Sequence, residues 1–174
     1  TEVAMRAVCK CIMSGKQAVV LVPTTVLSQQ HYKTFTARMG PFGITVGVLN
    51  RFCSSGERKR LLQQLSDGQM DVIIGTHAVI SGKIKCRDLG LLVVDEEQRF
   101  GVMQKEKWKS WSAGVDVLTL SATPIPRTLH MCLAGVRDMA VINTPPSNRH
   151  AIQTYVAEYD DSVVKEAVMR EKER

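Results

Sequence analysis

A chain of 174 residues has room for one full α/β domain and the beginning of a second. Its 44% apolar content contains no run approaching the ~20 residues that a membrane-spanning helix needs, and with three tyrosines, two tryptophans and four phenylalanines it cannot build an extensive base-stacking surface. A net charge of +6 suits a polyanionic partner without requiring one.

The periodicity predicts a helix over 2–13, where Cys9 and Cys11 have neither a second pair nor a spaced histidine and so read as packing residues rather than zinc ligands. The five cysteines are odd in number and scattered, which points to a reducing compartment. Short valine-, isoleucine- and leucine-rich strands follow at 17–22, 44–49, 71–74, 91–94, 115–120 and 139–142. They are interleaved with helices at 26–39, 56–65, 100–111 and 127–133. This alternation predicts a mostly parallel sheet with helices on both faces. Thr24-Thr25 and Ser54-Ser55 mark helix starts, and Gly15 and Gly68 fall where a left-handed residue ends a helix. The stretch 143–149, with two prolines, reads as a boundary. Beyond it, 152–159 alternates like a strand, and 161–172 carries a helical stripe of Val163, Val164, Ala167 and Val168.

The most informative stretch is Leu91-Leu-Val-Val-Asp95-Glu96-Glu97-Gln98. Four aliphatic residues mark a strand buried on both faces, and its carboxyl end is where open α/β sheets bind ligands. Adjacent acids there suit a nucleoside triphosphatase: one carboxylate for a Mg²⁺ on the phosphates, and its neighbour to orient or deprotonate water. The alternative is a solvated acidic turn. Three more strands end in polar residues. Val22-Pro-Thr24-Thr25 offers backbone amides and hydroxyls at a helix start, serving a phosphate cradle or capping alone. Gly75-Thr76-His77 allows close backbone approach and supplies donors, while Ser121-Ala-Thr123 could bond the acidic pair from a neighbouring strand. Arg127 follows, within reach of phosphate or carboxylate.

Together these strings resemble the superfamily 2 nucleic-acid translocases. Asp95-Glu-Glu-Gln98 resembles the Walker B motif, Leu21-Val-Pro-Thr-Thr-Val26 motif Ia, Gly75-Thr-His77 a DNA-contacting motif and Ser121-Ala-Thr123 motif III. Asp95-Glu-Glu-Gln-Arg-Phe-Gly101 and Thr123-Pro-Ile-Pro-Arg-Thr-Leu129 are similar to the branch that holds RecG and the transcription-repair coupling factors. RecG proteins typically have Gln-His where this chain has Glu97-Gln98 and usually lack the Arg51-Phe52 pair. Thr144-Pro-Pro and Gln153-Thr-Tyr155 further favour the coupling factors.

The resemblance implies a RecA-like P-loop fold and the cofactors ATP and Mg²⁺. It implies that Asp95 binds the metal, Glu96 activates water, and Gln98 couples the nucleotide to neighbouring motifs. Ser121, Thr123 and Arg127 would link hydrolysis to movement. Thr24, Thr25, Arg51, Gly75, Thr76 and His77 would face double-stranded DNA. Thr1 would close the phosphate loop as a Mg²⁺ ligand, with Glu2 beside it. On this reading 1–143 is a first RecA-like helicase domain lacking its P-loop strand, 144–151 is a linker, and 152–174 opens a second RecA-like lobe. The chain is then expected to be a slice of a larger motor, inactive by itself. RNA polymerase and excision-repair proteins would bind through modules outside it, in a bacterial cytoplasm or alternatively a chloroplast. RecG-like fork remodelling and a catalytically dead nucleic-acid-binding module are the competing readings.

Overall fold

The structure is a computed structural model that describes residues 1–81, 84–111, 114–123, 138–144, 152 and 154–173. Helix α1 (Glu2–Met13) leads into strand β1 (Gln17–Leu21), followed by α2 (Thr25–Met39), β2 (Val46–Leu49), α3 (Ser55–Ser66) and β3 (Val72–Gly75). After these come a short α4 (His77–Ser81), β4 (Leu89–Asp95), α5 (Val102–Trp111), β5 (Asp116–Leu120) and α6 (Asp161–Glu173). The five strands form one sheet in the order β2-β3-β1-β4-β5, and every pairing is parallel. All carboxyl strand ends therefore lie on one rim.

Strand β1 is central and all five of its residues are buried, as expected of a strand covered on both faces. The alternation of its side chains divides the core in two. Ala18, Val20 and Val22 join Val72, Ile74, Leu91 and Val93 beneath α1 (Ala4, Met5, Val8) and α2 (Phe35, Met39). Val19 and Leu21 join Leu49, Ile73, Leu92 and Val94 against α3 (Leu65), α4 (Val79, Ile80) and Phe100. Cys9 and Cys11 pack at the margin of the first cluster, in keeping with their reading as packing residues.

Local signals set the element ends. Thr24 Oγ1 accepts from Leu27 N, and Ser54 with Glu57 forms a reciprocal capping box, so orphan amides at both helix starts are satisfied. Gly15 (φ 78°) and Gly68 (φ 76°) take the left-handed conformation just past α1 and α3. At the foot of the sheet the buried Gln17 uses its full amide. Its Nε2 donates to the carbonyls of Leu65 (2.9 Å) and Met70 (2.6 Å), and its Oε1 accepts from the amides of Arg87 (2.7 Å) and Asp88 (3.1 Å).

Three expectations change. Residues 139–142 are not a strand: 138–144 have no regular structure, Met139, Val141 and Ile142 are exposed, and among the described residues no strand pairs with them. Residues 152 and 154–160 likewise form no strand, and Ile152, Tyr155 and Val156 are exposed. The helix read from Phe100 starts at Val102, because Phe100 is extended (φ −90°, ψ 135°) and buried against the sheet. The final helix forms as expected, with Asp160 Oδ1 accepting from Ser162 N at its start (2.8 Å), but its stripe of Val163, Val164 and Val168 is exposed. The helix read at 127–133 lies outside the described residues.

Candidate nucleotide site at the carboxyl rim of the sheet

Residues Leu91–Val94 are buried, and the strand emerges at Asp95 between β1 and β5. Asp95 has the same side-chain parity as Leu91 and Val93 and so points to the face covered by α1 and α2. There its Oδ2 lies 2.8 Å from His31 Nε2 on α2. A carboxylate can only accept, so the ring nitrogen donates. His31 is 6% exposed, and its ring meets Phe35 edge-on at 6.0 Å between centroids.

The chain then turns sharply. Glu96 adopts φ 52°, ψ 50°, a left-handed conformation that costs a non-glycine residue on the order of 1–2 kcal/mol. Among the described non-glycine residues it is the only one with positive φ. This turn throws the chain into the short 3-10 helix Glu97–Arg99 and brings Gln98 back towards Glu96. Gln98 Nε2 donates to the Glu96 carboxylate, and Gln98 Oε1 lies 3.0 Å from Ser121 Oγ at the end of β5. Ser121 Oγ also lies 2.7 Å from the Thr123 carbonyl, so its single hydroxyl proton has two acceptors to choose from. It accepts from Thr123 N at 3.2 Å. The acidic strand end and Ser121-Ala-Thr123 are thus one hydrogen-bonded chain. Glu97 is buried and lies 4.0 Å from Lys105 Nζ, on α5.

The other residues singled out from sequence distribute along the same rim in different states. Thr24 is committed to its cap, and Thr25 begins α2. Asn50, after β2, is buried, and its Nδ2 donates to Ser28 Oγ (3.0 Å) while its Oδ1 accepts from Phe52 N (2.9 Å). The Arg51-Phe52 turn is thereby pinned to α2. Both side chains are exposed, with the Arg51 guanidinium 5.1 Å above the Phe52 ring. Gly75 is tight for an internal reason: a Cβ there would lie 2.3 Å from Leu49 O and from Val79 Cγ2. Thr76 is 2% exposed, whereas His77 is exposed at the start of α4. Arg127 lies outside the described residues.

Thr1 caps α1 through its carbonyl, which accepts from Met5 N (3.0 Å), and its hydroxyl makes no capping bond. Only Ser14–Lys16 separate α1 from β1, so the helix runs back over the sheet and its start faces the rim. Glu2 is engaged elsewhere. Arg38 Nη2 donates to its Oε1 at 3.0 Å, and Arg6 lies at 3.5 Å. Arg38, then Arg6, hold its carboxyl below the ordinary range.

His31, Asn50 and Ser28 were missed as site residues. The available signal was the stripe Ser28, His31, Phe35 and Met39, whose helical spacing places polar groups on the buried face of α2. The rim offers hard oxygen donors. Asp95 retains one carboxylate oxygen beside the His31 bond, a set that suits Mg²⁺, which is usually held by one or two carboxylates together with phosphate oxygens.

The model for DEAD/DEAH box helicases matches residues 1–132, and the chain belongs to that family. Transcription-repair-coupling factors are similar over its whole length: that of Bacillus subtilis is 54% identical over 174 residues and that of Myxococcus xanthus 52%. The chain spans 14–15% of the length of these relatives. Among solved structures, RecG bound to a three-way DNA junction aligns with a TM-score of 0.74 and 35% identity, covering 98% of this chain and 23% of that one. The Hef helicase domain of Pyrococcus furiosus aligns at 0.54 with 13% identity, covering 76% of this chain and 28% of that one, a likeness of fold alone. The RecA-like fold and the motif resemblance to the RecG and coupling-factor branch are both borne out.

Proposed function

We propose that this chain is the larger part of the first RecA-like lobe of an ATP-dependent double-stranded-DNA translocase acting in transcription-coupled repair. Residues 1–143 form that lobe, 144–151 a linker and 152–174 the opening of the second lobe. The observation that carries the reading is the continuous connection Glu96–Gln98–Ser121–Thr123, which joins the candidate general base to a neighbouring strand end. A solvated acidic turn has no need of it.

In this reading Asp95 and Thr1 would hold Mg²⁺, which would supply neutralisation of phosphate charge on the nucleotide. Glu96 takes the proton from the attacking water, and its left-handed turn sets the carboxylate beside Gln98. Gln98 then has one amide end on the base and the other on Ser121, so a change in the base's bonding is felt at β5. Thr24 and Thr25 supply hydroxyls, Arg51 a guanidinium and His77 a ring N–H towards the DNA backbone. RNA polymerase and excision-repair proteins are the partners this reading calls for, with a bacterial cytoplasm as the location.

The test is Glu96→Gln in the full-length protein carrying these residues. ATP should still bind while hydrolysis falls at least about a hundredfold, the usual scale for losing a general base. Hydrolysis at the normal rate would remove Glu96 from that role. The likeness to junction-bound RecG favours fork remodelling as a second reading. Displacement of a stalled RNA polymerase, as against regression of a model fork, separates the two.

A further inference from the structure

Asp95 is itself held by a side chain with no part in the proposed chemistry. His31 Nε2 meets Asp95 Oδ2 at 2.8 Å, across 64 residues of sequence. Its own freedom is small, because the imidazole is buried and braced edge-on by Phe35, which is fully buried. His31 also sits six residues into the helix that opens at Thr25, about 9 Å along its axis. One rigid helix therefore carries the candidate DNA-facing hydroxyls at its start and the clamp on the carboxylate in its middle.

We infer that His31 is a positioning residue for Mg²⁺ binding: by donating to Asp95 Oδ2 it fixes the carboxylate rotamer so that the remaining oxygen is presented to the ion. This rests on the proposed role of Asp95 at the nucleotide. Groups that orient a metal-binding side chain from behind commonly change metal affinity by about 10–100-fold when removed. The requirement here is geometric, an N–H donor at one place on a buried helix face.

The experiment compares His31→Phe, which keeps a ring of similar volume without the donor, with His31→Gln, which restores an N–H on a flexible arm. In the full-length protein, binding of a fluorescent, non-hydrolysable ATP analogue is titrated with Mg²⁺. His31→Phe should raise the half-saturating Mg²⁺ concentration about tenfold and leave Mg²⁺-free nucleotide binding unchanged, and His31→Gln should recover to within about threefold of the parent. Unchanged Mg²⁺ dependence in His31→Phe, or equal losses in both variants, would overturn the inference. So would loss of folding in both, read from the thermal melt, since that assigns His31 to packing. Asp95→Asn separates this from the broader reading. If Asp95→Asn abolishes Mg²⁺-dependent binding while His31→Phe does not, only the role of His31 fails; if neither affects it, the role of Asp95 at the nucleotide fails.

Discussion

At the scale of single residues, the site is a set of commitments that leave few atoms idle. Gln98 spends its amide on Glu96 and Ser121, so Gln98→Ala should release the proposed base, Glu96, from its orientation. A fall in kcat of about tenfold or more with KM for ATP little changed is expected, checked by steady-state kinetics of the full-length protein. Asp95, Glu96 and Gln98 were legible because carboxylates and an amide directly after a doubly buried strand have a fixed address, the carboxyl rim. His31 was not legible as a site residue, because nothing near it in the chain announces a partner 64 residues away. Gly75 reads from sequence as allowing close backbone approach to a ligand, and the fold gives glycine there a further reason, since a Cβ would lie 2.3 Å from Leu49 O and Val79 Cγ2. Gly75→Ala should accordingly cost about 1–3 kcal/mol of stability, seen as a lowered urea midpoint at unchanged slope.

At the scale of elements, capping and burial decide where each begins. The box between Ser54 and Glu57 satisfies amides at the start of α3, a helix with only Leu65 fully buried, so local bonding matters more there than packing. Ser54→Ala should destabilise by about 1 kcal/mol, measurable by denaturant unfolding. The helices α1, α2 and α3 were readable to within a residue or two because caps, left-handed glycines and apolar stripes agree. Residues 139–142 and 152–159 show the converse. Alternating or apolar segments become strands only when a neighbouring strand supplies hydrogen bonds, and residues 138–144, 152 and 154–160 belong to no strand. The five-residue α4 escaped notice because so short a helix carries no period. It is held by Val79 N bonding to Thr76 O and by the burial of Val79 and Ile80.

At the scale of the whole molecule, a single parallel sheet gathers polar ends from five strands onto one rim. The opposite end of the sheet is organised by Gln17. Stability should also respond to pH through Cys86, whose thiol is pushed up to about 11 by burial. Between its ordinary range and that value the unfolded chain has lost the proton while the folded chain keeps it. The unfolded state then binds fewer protons, and stability falls as pH rises through this window. A urea midpoint that drops between pH 8 and pH 10.5, with a smaller drop in Cys86→Ala, is the expected result.

By itself the sequence determined the α/β class, the parallel sheet, the ends of most helices and the acidic centre, because these depend on residues a few positions apart: buried runs, caps, and carboxylates set at a strand end. The tertiary structure alone decided the strand order β2-β3-β1-β4-β5, and with it that Asp95 and Ser121 end neighbouring strands. It also decided that Asn50 pins the Arg51-Phe52 turn to Ser28, and that a histidine on α2 clamps the acidic strand end. The reason is physical. A doubly buried strand pairs equally well on either edge, and a buried polar side chain needs a partner of either sign of hydrogen bond, so local pattern leaves both choices open. Only close packing of the assembled sheet and helices leaves one arrangement in which each of those groups is satisfied.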